Sequence, residues 1–517
     1  EGSGKIGVHA WEGGVYAGRG HDDGSGDGPL SRVNPAGVRL IAGDIHSQGG
    51  STTFIGNLAV ESPLAGGKLR LNGRVSWNRY HYDETDFIRL PTVHEEHERD
   101  LDRSLSTEFG ARYEKALGGR TNLQLVALRQ DRTEPSPASF IAPGDVETFR
   151  LDSRTSETIA RGVLRFQQRP NLSWEAGAEA AYNTLTSRTS FTLNGAPVAL
   201  PAANVTVDET RGEAFAKAVW RPVPKLTVEA SVREEGSRIS SAGDVVLEKS
   251  LYFTKPRLLL TWSPSGDTQV RASVERVVGQ LDFGAFVASQ SLSAGVVSAG
   301  NPNLVPEQAW VGELTLEQHF WGQGALVATA RHSKLTDVID RAPFGTFDAP
   351  ANIGAGTKDE LILNLTAPLD KLGVKGGQLR ATGTWRRSEV TDPTTHEARG
   401  ITRLRPFEWE GHYIQDLPKL KLSYGIDVCC ARTEKTYRVN EIDERRLSNF
   451  VSPFLEWKPR ADIAIRAEVD YVTHFSYTRS IEHFAGPRGA SPLLYVEDRR
   501  PQFGKVFFLR LRKSFGT

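Results

Sequence analysis

Leu69-Arg70-Leu71-Asn72-Gly73-Arg74-Val75-Ser76-Trp77 puts an apolar residue or glycine at every odd position and a polar or charged one at every even position. Side chains along a strand point alternately to opposite faces, so this stretch has one apolar face and one wet face. It leaves a tight turn, Ala65-Gly66-Gly67. The pattern returns after Pro224, where Leu226, Val228, Ala230 and Val232 oppose Thr227, Glu229, Ser231 and Arg233. After Pro418, Leu420, Leu422, Tyr424, Ile426 and Val428 oppose Lys421, Ser423, Gly425 and Asp427. After Pro459, Ile463, Ile465, Ala467, Val469 and Tyr471 oppose Ala464, Arg466, Glu468 and Asp470. Such segments run about 12 to 18 residues between breaks, against about 5 or 6 for strands of soluble domains.

Short Gly/Pro-rich breaks centre on Gly66, Gly118, Pro170, Val223, Ser265, Gln323, Gly373, Pro418 and Pro459, at intervals of 41 to 58 residues. Between successive breaks the chain reads as a strand, a longer polar loop and a returning strand. Short turns at one end and long loops at the other mark a bacterial outer-membrane β-barrel. The fold class is therefore all-β, a large antiparallel transmembrane barrel. Nine strand pairs, one strand before them and one after give about 20 strands. The longer loops fall near residues 21–50, 83–100, 134–148, 192–203, 282–305, 343–349, 391–402 and 478–496, with shorter ones near 241–246 and 440–445. Trp77, Trp220, Trp262, Trp321, Trp385 and Trp457 lie near strand ends, several beside short turns, where aromatic girdles at the headgroup level would hold them.

Composition agrees. The chain has 517 residues, 63 Lys+Arg and 63 Asp+Glu, and its formal net charge is zero, which argues against nucleic-acid partners. A hydrophobic share of 38% and a mean hydropathy of −0.38 would suit a soluble protein. No apolar run reaches the roughly 18 residues of a membrane helix, but a barrel needs only alternate residues to face lipid. Methionine is absent, and the chain opens with Glu1-Gly2-Ser3-Gly4 before the strand-like stretch Ile6 to Tyr16. With no signal peptide at its start, it reads as a processed product or a portion of a longer one.

Chemistry-bearing clusters are sparse. His94 and His97 sit in the acidic stretch 91–98, read as an extracellular loop without the helical spacing of a zinc protease. Asp22-Asp23-Gly24-Ser25-Gly26-Asp27-Gly28 has a calcium-loop composition but no closing glutamate, and reads as a loop tip. Cys429 and Cys430 are adjacent, face opposite ways if the strand continues, and are either free or bonded to each other. No catalytic, cofactor-binding or metal-ligating set emerges, and an enzyme is not indicated. Arg70, Arg74, Arg233, Lys421, Arg466 and Glu468 read as the polar lining of the lumen, and nothing singles out ligand-binding residues among them.

Gly300-Asn301-Pro302-Asn303-Leu304-Val305-Pro306-Glu307, ahead of the strand with Gly312, Leu314 and Leu316, resembles the "GNPxLxPE" element of TonB-dependent outer-membrane receptors. Asn-Pro-Asn makes a rigid turn, and Pro306 can open a strand without supplying a ladder donor. Asn352-Ile353-Gly354 followed by Glu360, Leu361 and Leu363 is similar to a stretch one hairpin later in that family, although Lys358 and Asp359 replace its second glycine. The last strand, with Phe503, Phe507, Leu509, Leu511 and Phe515, resembles a barrel-assembly signal, trailed by Gly516-Thr517.

The resemblance implies a 22-stranded barrel around an N-terminal plug of on the order of 130 residues, a size typical of one domain. No plug and no TonB box is found. Residues 1–517 therefore read as the barrel domain alone, beginning before the third strand of the full barrel. It further implies active import of a scarce nutrient, driven by TonB, ExbB and ExbD through the plug. The ligand could be a ferric siderophore, a glycan, a cobalamin-like compound or a peptide. Outer-membrane lipid, lipopolysaccharide and a surface lipoprotein would be further partners. A plugless porin, a barrel scaffold for a surface partner and a soluble β-propeller are the competing readings.

Overall fold

The computed structural model describes residues 2–21, 25–291, 296–344, 347–473 and 475–514. Nine short turns fall where the breaks were read, the fourth and last displaced by one or two residues, and they join eighteen strands of one antiparallel wall. His9–His21 precedes these and Val506–Lys513 follows them, giving the twenty strands expected. A further short strand, Gly2–Ile6, pairs with His9–His21. Gly7, at φ +62°, turns the chain between the two, so Ile6 to Tyr16 is a hairpin and not one strand. No helix among the described residues is long and apolar enough to cross a membrane.

Alternation sorts the wall as the sequence indicates. Leu71, Phe109, Leu164, Leu314 and Leu361 point outward and are 44–62% exposed, as lipid-facing side chains must be. Strands inside the wall satisfy their backbones through two neighbours, as crossing hydrocarbon requires, whereas Val506–Lys513 pairs only with Ile463–Asp470 and Gly2–Ile6 only with His9–His21. Trp220, Trp262, Trp321 and Trp457 stand beside short turns; Trp385 stacks on Phe407 at 4.9 Å nearer the other end. These fit two girdles, with the turn end periplasmic and the hairpin end extracellular.

The hairpin end departs from expectation. Residues 83–100 and 134–148, read as loops, are mostly strand: Gly67–Leu90 pairs with His94–Ala116, and Thr121–Ala142 with Asp145–Arg169. Beyond the bilayer neither face need be apolar, so the alternating signal fades while pairing continues. Six consecutive strands from Arg39–Leu64 to Leu172–Leu193 run 22–26 residues unbroken. His94 and His97 therefore lie in a strand, the first 3.1 Å from Glu96 and the second 3.4 Å from Glu95. Gly26–Val33 is likewise a strand and not a loop tip; Asp22, Asp23 and Gly24 lie outside the described residues. Phe515, Gly516 and Thr517 lie outside them too.

The two ends of the wall meet at the extracellular rim. Gly26–Val33 pairs on one side with Arg39–Leu64 and on the other with Leu493–Arg499. Arg32 donates to Glu497 at 2.6 Å across 465 residues. Arg499, 6% exposed, reaches Glu84 at 2.6 Å, Asp86 at 2.9 Å and Glu497 at 2.8 Å. One buried guanidinium thus holds three carboxylates from two distant parts of the chain. Leu30, Ile45 and Ile88 pack as an apolar patch within the same rim.

Four neighbouring strands near the C-terminus are cut at a common level. The ladder of Leu422–Cys429 with Phe450–Arg460 ends at Cys429 opposite Phe450 and resumes at Arg432 opposite Leu447. Ile463–Asp470 gives way to Phe475–Phe484, and Gln502–Phe503 to Val506–Lys513, at the same height. Cys429 and Cys430 lie on this line and are bonded to each other; Cys430, at φ +77°, leaves the strand. Tyr471 and Phe475 fill the break against Phe450 and Phe503.

Candidate functional vestibule

The inner face carries the even positions of Gly67–Leu90 and the odd positions of Asn204–Val223 and Leu226–Gly243. Its charges are mostly paired. Lys255 donates to Glu235 at 2.8 Å and also reaches Glu213, which Arg233 contacts at 3.0 Å. Glu360 accepts from Arg331 at 3.2 Å and Arg386 at 3.0 Å. Of the residues read as lumen lining, Arg70 pairs with Glu12, and Arg74 lies exposed on the same face. Arg466 bridges Asp427 at 3.2 Å and Glu468 at 2.8 Å and lies 3.7 Å over the Phe454 ring. Lys421 is the exception. It occupies the turn before Leu422–Cys429 in the left-handed region, and its ammonium caps the Pro459 carbonyl at 3.0 Å. A turn lysine can mimic the strand alternation because the parity simply runs on through the turn.

One extracellular segment folds onto this inner wall. Phe286 is fully buried against Leu185, Val207 and Ile239, which share their face with the charged lumen residues. Asp282 caps the single helical turn Phe283–Phe286 by accepting from the Gly284 N–H at 2.8 Å. Gly300 passes so near the Phe286 carbonyl that a Cβ would lie 2.1 Å from the oxygen, so only glycine fits. Lys249 lies 5.8 Å above the Phe286 ring and donates to the carbonyls of Pro302 and Leu304.

The two asparagine elements meet here. Asn301 is buried, donates to the Pro350 carbonyl at 2.9 Å and accepts from the Asn303 N–H at 3.0 Å. The Asn352 side chain accepts from the Val305 N–H at 2.9 Å and donates to the carbonyls of Val305 at 2.9 Å and Asp337 at 2.8 Å. Glu307 receives the Ile339 N–H at 3.3 Å. The two elements together clamp residues 283–289 and 299–307 to the next hairpin. Their joint role was not legible, because spacing along the chain says nothing about which asparagine faces which backbone.

Replacing Asn352 by alanine removes three half-buried hydrogen bonds and should loosen the clamp by about 2–3 kcal/mol at roughly 1 kcal/mol each. Hydrogen exchange at the Val305 amide reads this, and unchanged protection would refute it. Burial pushes the Lys249 amine down to about 8. Since the unfolded amine sits near 10.5, its contribution to stability rises with pH between those values. Lys249 should acylate at pH 8 ahead of the exposed lysines, a difference that peptide mapping of the folded protein measures.

Beneath the clamp lies a cleft of about 280 Å³, lined by Arg132, Glu157, Glu209, Arg211 and Glu235 and roofed by Gly279–Gly284. Its lining carries charges of both signs beside apolar surface. Sequence reasoning missed it, since these residues come from four strands and a loop. Among the described residues no three His, Cys, Asp or Glu side chains gather as a metal site.

A large antiparallel barrel with aromatic girdles, short periplasmic turns and an inward-folded loop defines an outer-membrane receptor or channel. The family described as TonB dependent receptor-like, beta-barrel matches residues 41–437, and the chain belongs to it. It is an outer-membrane protein of a receptor and transporter family. The fold is similar to that of the siderophore receptor PiuA from Acinetobacter baumannii, at TM-score 0.58 and 10% identity, covering 97% of this chain and 82% of that one. It is similar also to the ferric yersiniabactin uptake receptor FyuA from Yersinia pestis, at TM-score 0.58 and 12% identity, covering 95% and 80%. Against FpvA of P. aeruginosa, solved with a bound pyoverdine and iron, the TM-score is 0.59 at 10% identity, covering 94% and 71%. At such identities the likeness speaks to fold alone. No curated protein matches the sequence.

Proposed function

We propose that this barrel is the wall and mouth of an energised importer that takes up a ferric siderophore, coupled to TonB through an N-terminal plug that precedes Glu1 in the full-length protein. The observation carrying this reading is the inward clamping of residues 283–289 and 299–307 above a charged cleft. A fixed loop over paired lumen charges suits capture of a polar ligand at the mouth. Membership in the receptor family and the siderophore receptors of like fold favour the ligand class. The plug would occupy the lumen, where the inner-wall ion pairs present alternating charge to it, and the wall would begin with strands ahead of Gly2–Ile6.

The test is uptake of radioactive iron supplied as a panel of ferric siderophores, in cells with and without the full gene and with and without TonB. The proposal expects uptake of at least one complex that needs both. Uptake surviving loss of TonB would point to a passive pore instead. No gene-dependent uptake of any complex would remove the siderophore assignment.

A further inference from the structure

Outward-facing arginines crown the apolar band on one flank of the barrel. Arg79 stands two residues above Trp77 on the lipid-facing side of Gly67–Leu90, and Arg103 two residues above Leu105 on that of His94–Ala116. The ladder sets them directly opposite one another. Like charges facing across a ladder destabilise it unless something neutralises them. Two strands further round, Arg154 and Arg188 lie on the same outward face, one diagonal step apart, since Arg154 is opposite Thr186. Strand spacing puts this second pair about 10 Å from the first.

Nearby outward arginines are satisfied within the protein. Arg99 pairs with Asp83 at 2.6 Å, Arg150 with Asp152 at 2.7 Å and Arg129 with Asp131 at 2.6 Å. Arg79, Arg103, Arg154 and Arg188 are all exposed, and no carboxylate among the described residues lies within 4 Å of any of them. Asp131, whose charge Arg154 favours, is already doubly hydrogen-bonded by Arg129, and Asp152, directly opposite Arg188 on the ladder, is paired with Arg150.

We propose that these four arginines bind the phosphorylated headgroup of a lipid in the outer leaflet. Their parity continues the lipid-facing stripe, and their height is that of the headgroups above Trp77 and Leu105. Guanidinium groups match phosphate oxygens with paired N–H donors. Two basic pairs about 10 Å apart suit a headgroup bearing more than one phosphate. A soluble anion would have no reason to seek arginines arrayed along a membrane margin. The proposal requires the barrel orientation but not the identity of the imported ligand.

The test is native mass spectrometry of the detergent-purified protein with a lipid bearing phosphate monoesters on its headgroup, beside a neutral lipid of the same acyl chains and inorganic phosphate alone. Wild type should retain the phosphorylated lipid preferentially. R79Q/R103Q should lose about thirty-fold in affinity, from roughly five-fold per interfacial arginine. Arg238→Gln, which removes an exposed arginine paired to Glu248, should leave binding intact. Heat-modifiable gel mobility establishes that each variant is folded; if R79Q/R103Q does not fold, R154Q/R188Q is read by the same criterion. Equal retention of neutral lipid, undiminished binding by the folded variant, or competition by inorganic phosphate at equal affinity would each overturn the proposal.

Discussion

Replacing Arg499 with alanine is expected to unfasten the extracellular rim at a cost of about 3–5 kcal/mol, the range for stripping one partner from a buried charge cluster. Glu84, Asp86 and Glu497 are 8% exposed or less, and the substitution leaves them facing one another without their shared cation. Burial already raises the Asp86 carboxyl above its ordinary value, with Arg499 opposing that rise. Without the arginine, burial would push the Asp86 carboxyl higher still, and Glu497 would lose a cation that now holds it below its ordinary value. The defect should therefore be largest at alkaline pH and shrink as acid neutralises them. Hydrogen exchange across residues 26–33 and 493–503 at several pH values measures both magnitude and sign. A loss independent of pH would show that the carboxylates are not the source of the damage.

Phe286→Ala should release the clamped segment from the inner wall. A fully buried phenylalanine truncated to alanine costs about 3–5 kcal/mol. Here the loss falls on docking of the loop, because the ladders of the wall do not involve it. Protease sensitivity and fast exchange should appear within residues 279–304 while heat-modifiable mobility of the barrel stays unchanged. Phe283→Ala, at the edge of the same cluster, should have a visibly smaller effect. If the loop stays protected in F286A, the asparagine clamp and not the apolar contact fixes it.

The membrane-embedded wall was legible because lipid on one side and water on the other write their difference into every second residue. Leu69 to Trp77 and Ile463 to Asp470 show it directly, and each short turn but the last, Ala461-Asp462, carries its own glycine or proline. Outside the bilayer that contrast vanishes, so Asp83 to Leu90 and Glu134 to Ala142 read as loops although they pair as strands. Lys421 was misplaced because a parity rule has no means of seeing where a turn ends. The motifs around Asn301 and Asn352 were visible, but their clamp depends on hydrogen bonds spanning 47 residues. The rim closure through Arg32 and Glu497 spans 465, and local sequence holds no record of it. Adjacent Cys429 and Cys430 left two outcomes open, and the bonded one coincides with the interruption of the ladder.

That interruption gives the two flanks of the mouth different stiffness. On the flank from Arg39–Leu64 to Leu172–Leu193, bending the upper wall means breaking continuous ladders. On the other flank, the leaf built from residues 432–447 and 475–503 is joined to the wall below by four single-chain crossings, a few backbone hydrogen bonds and packing around Tyr471 and Phe475 in place of continuous ladders. Interrupted joints with few hydrogen bonds yield before continuous ladders do. Entry should therefore widen like a door hung on one jamb, with spin labels on the two flanks recording displacement of the C-terminal leaf alone.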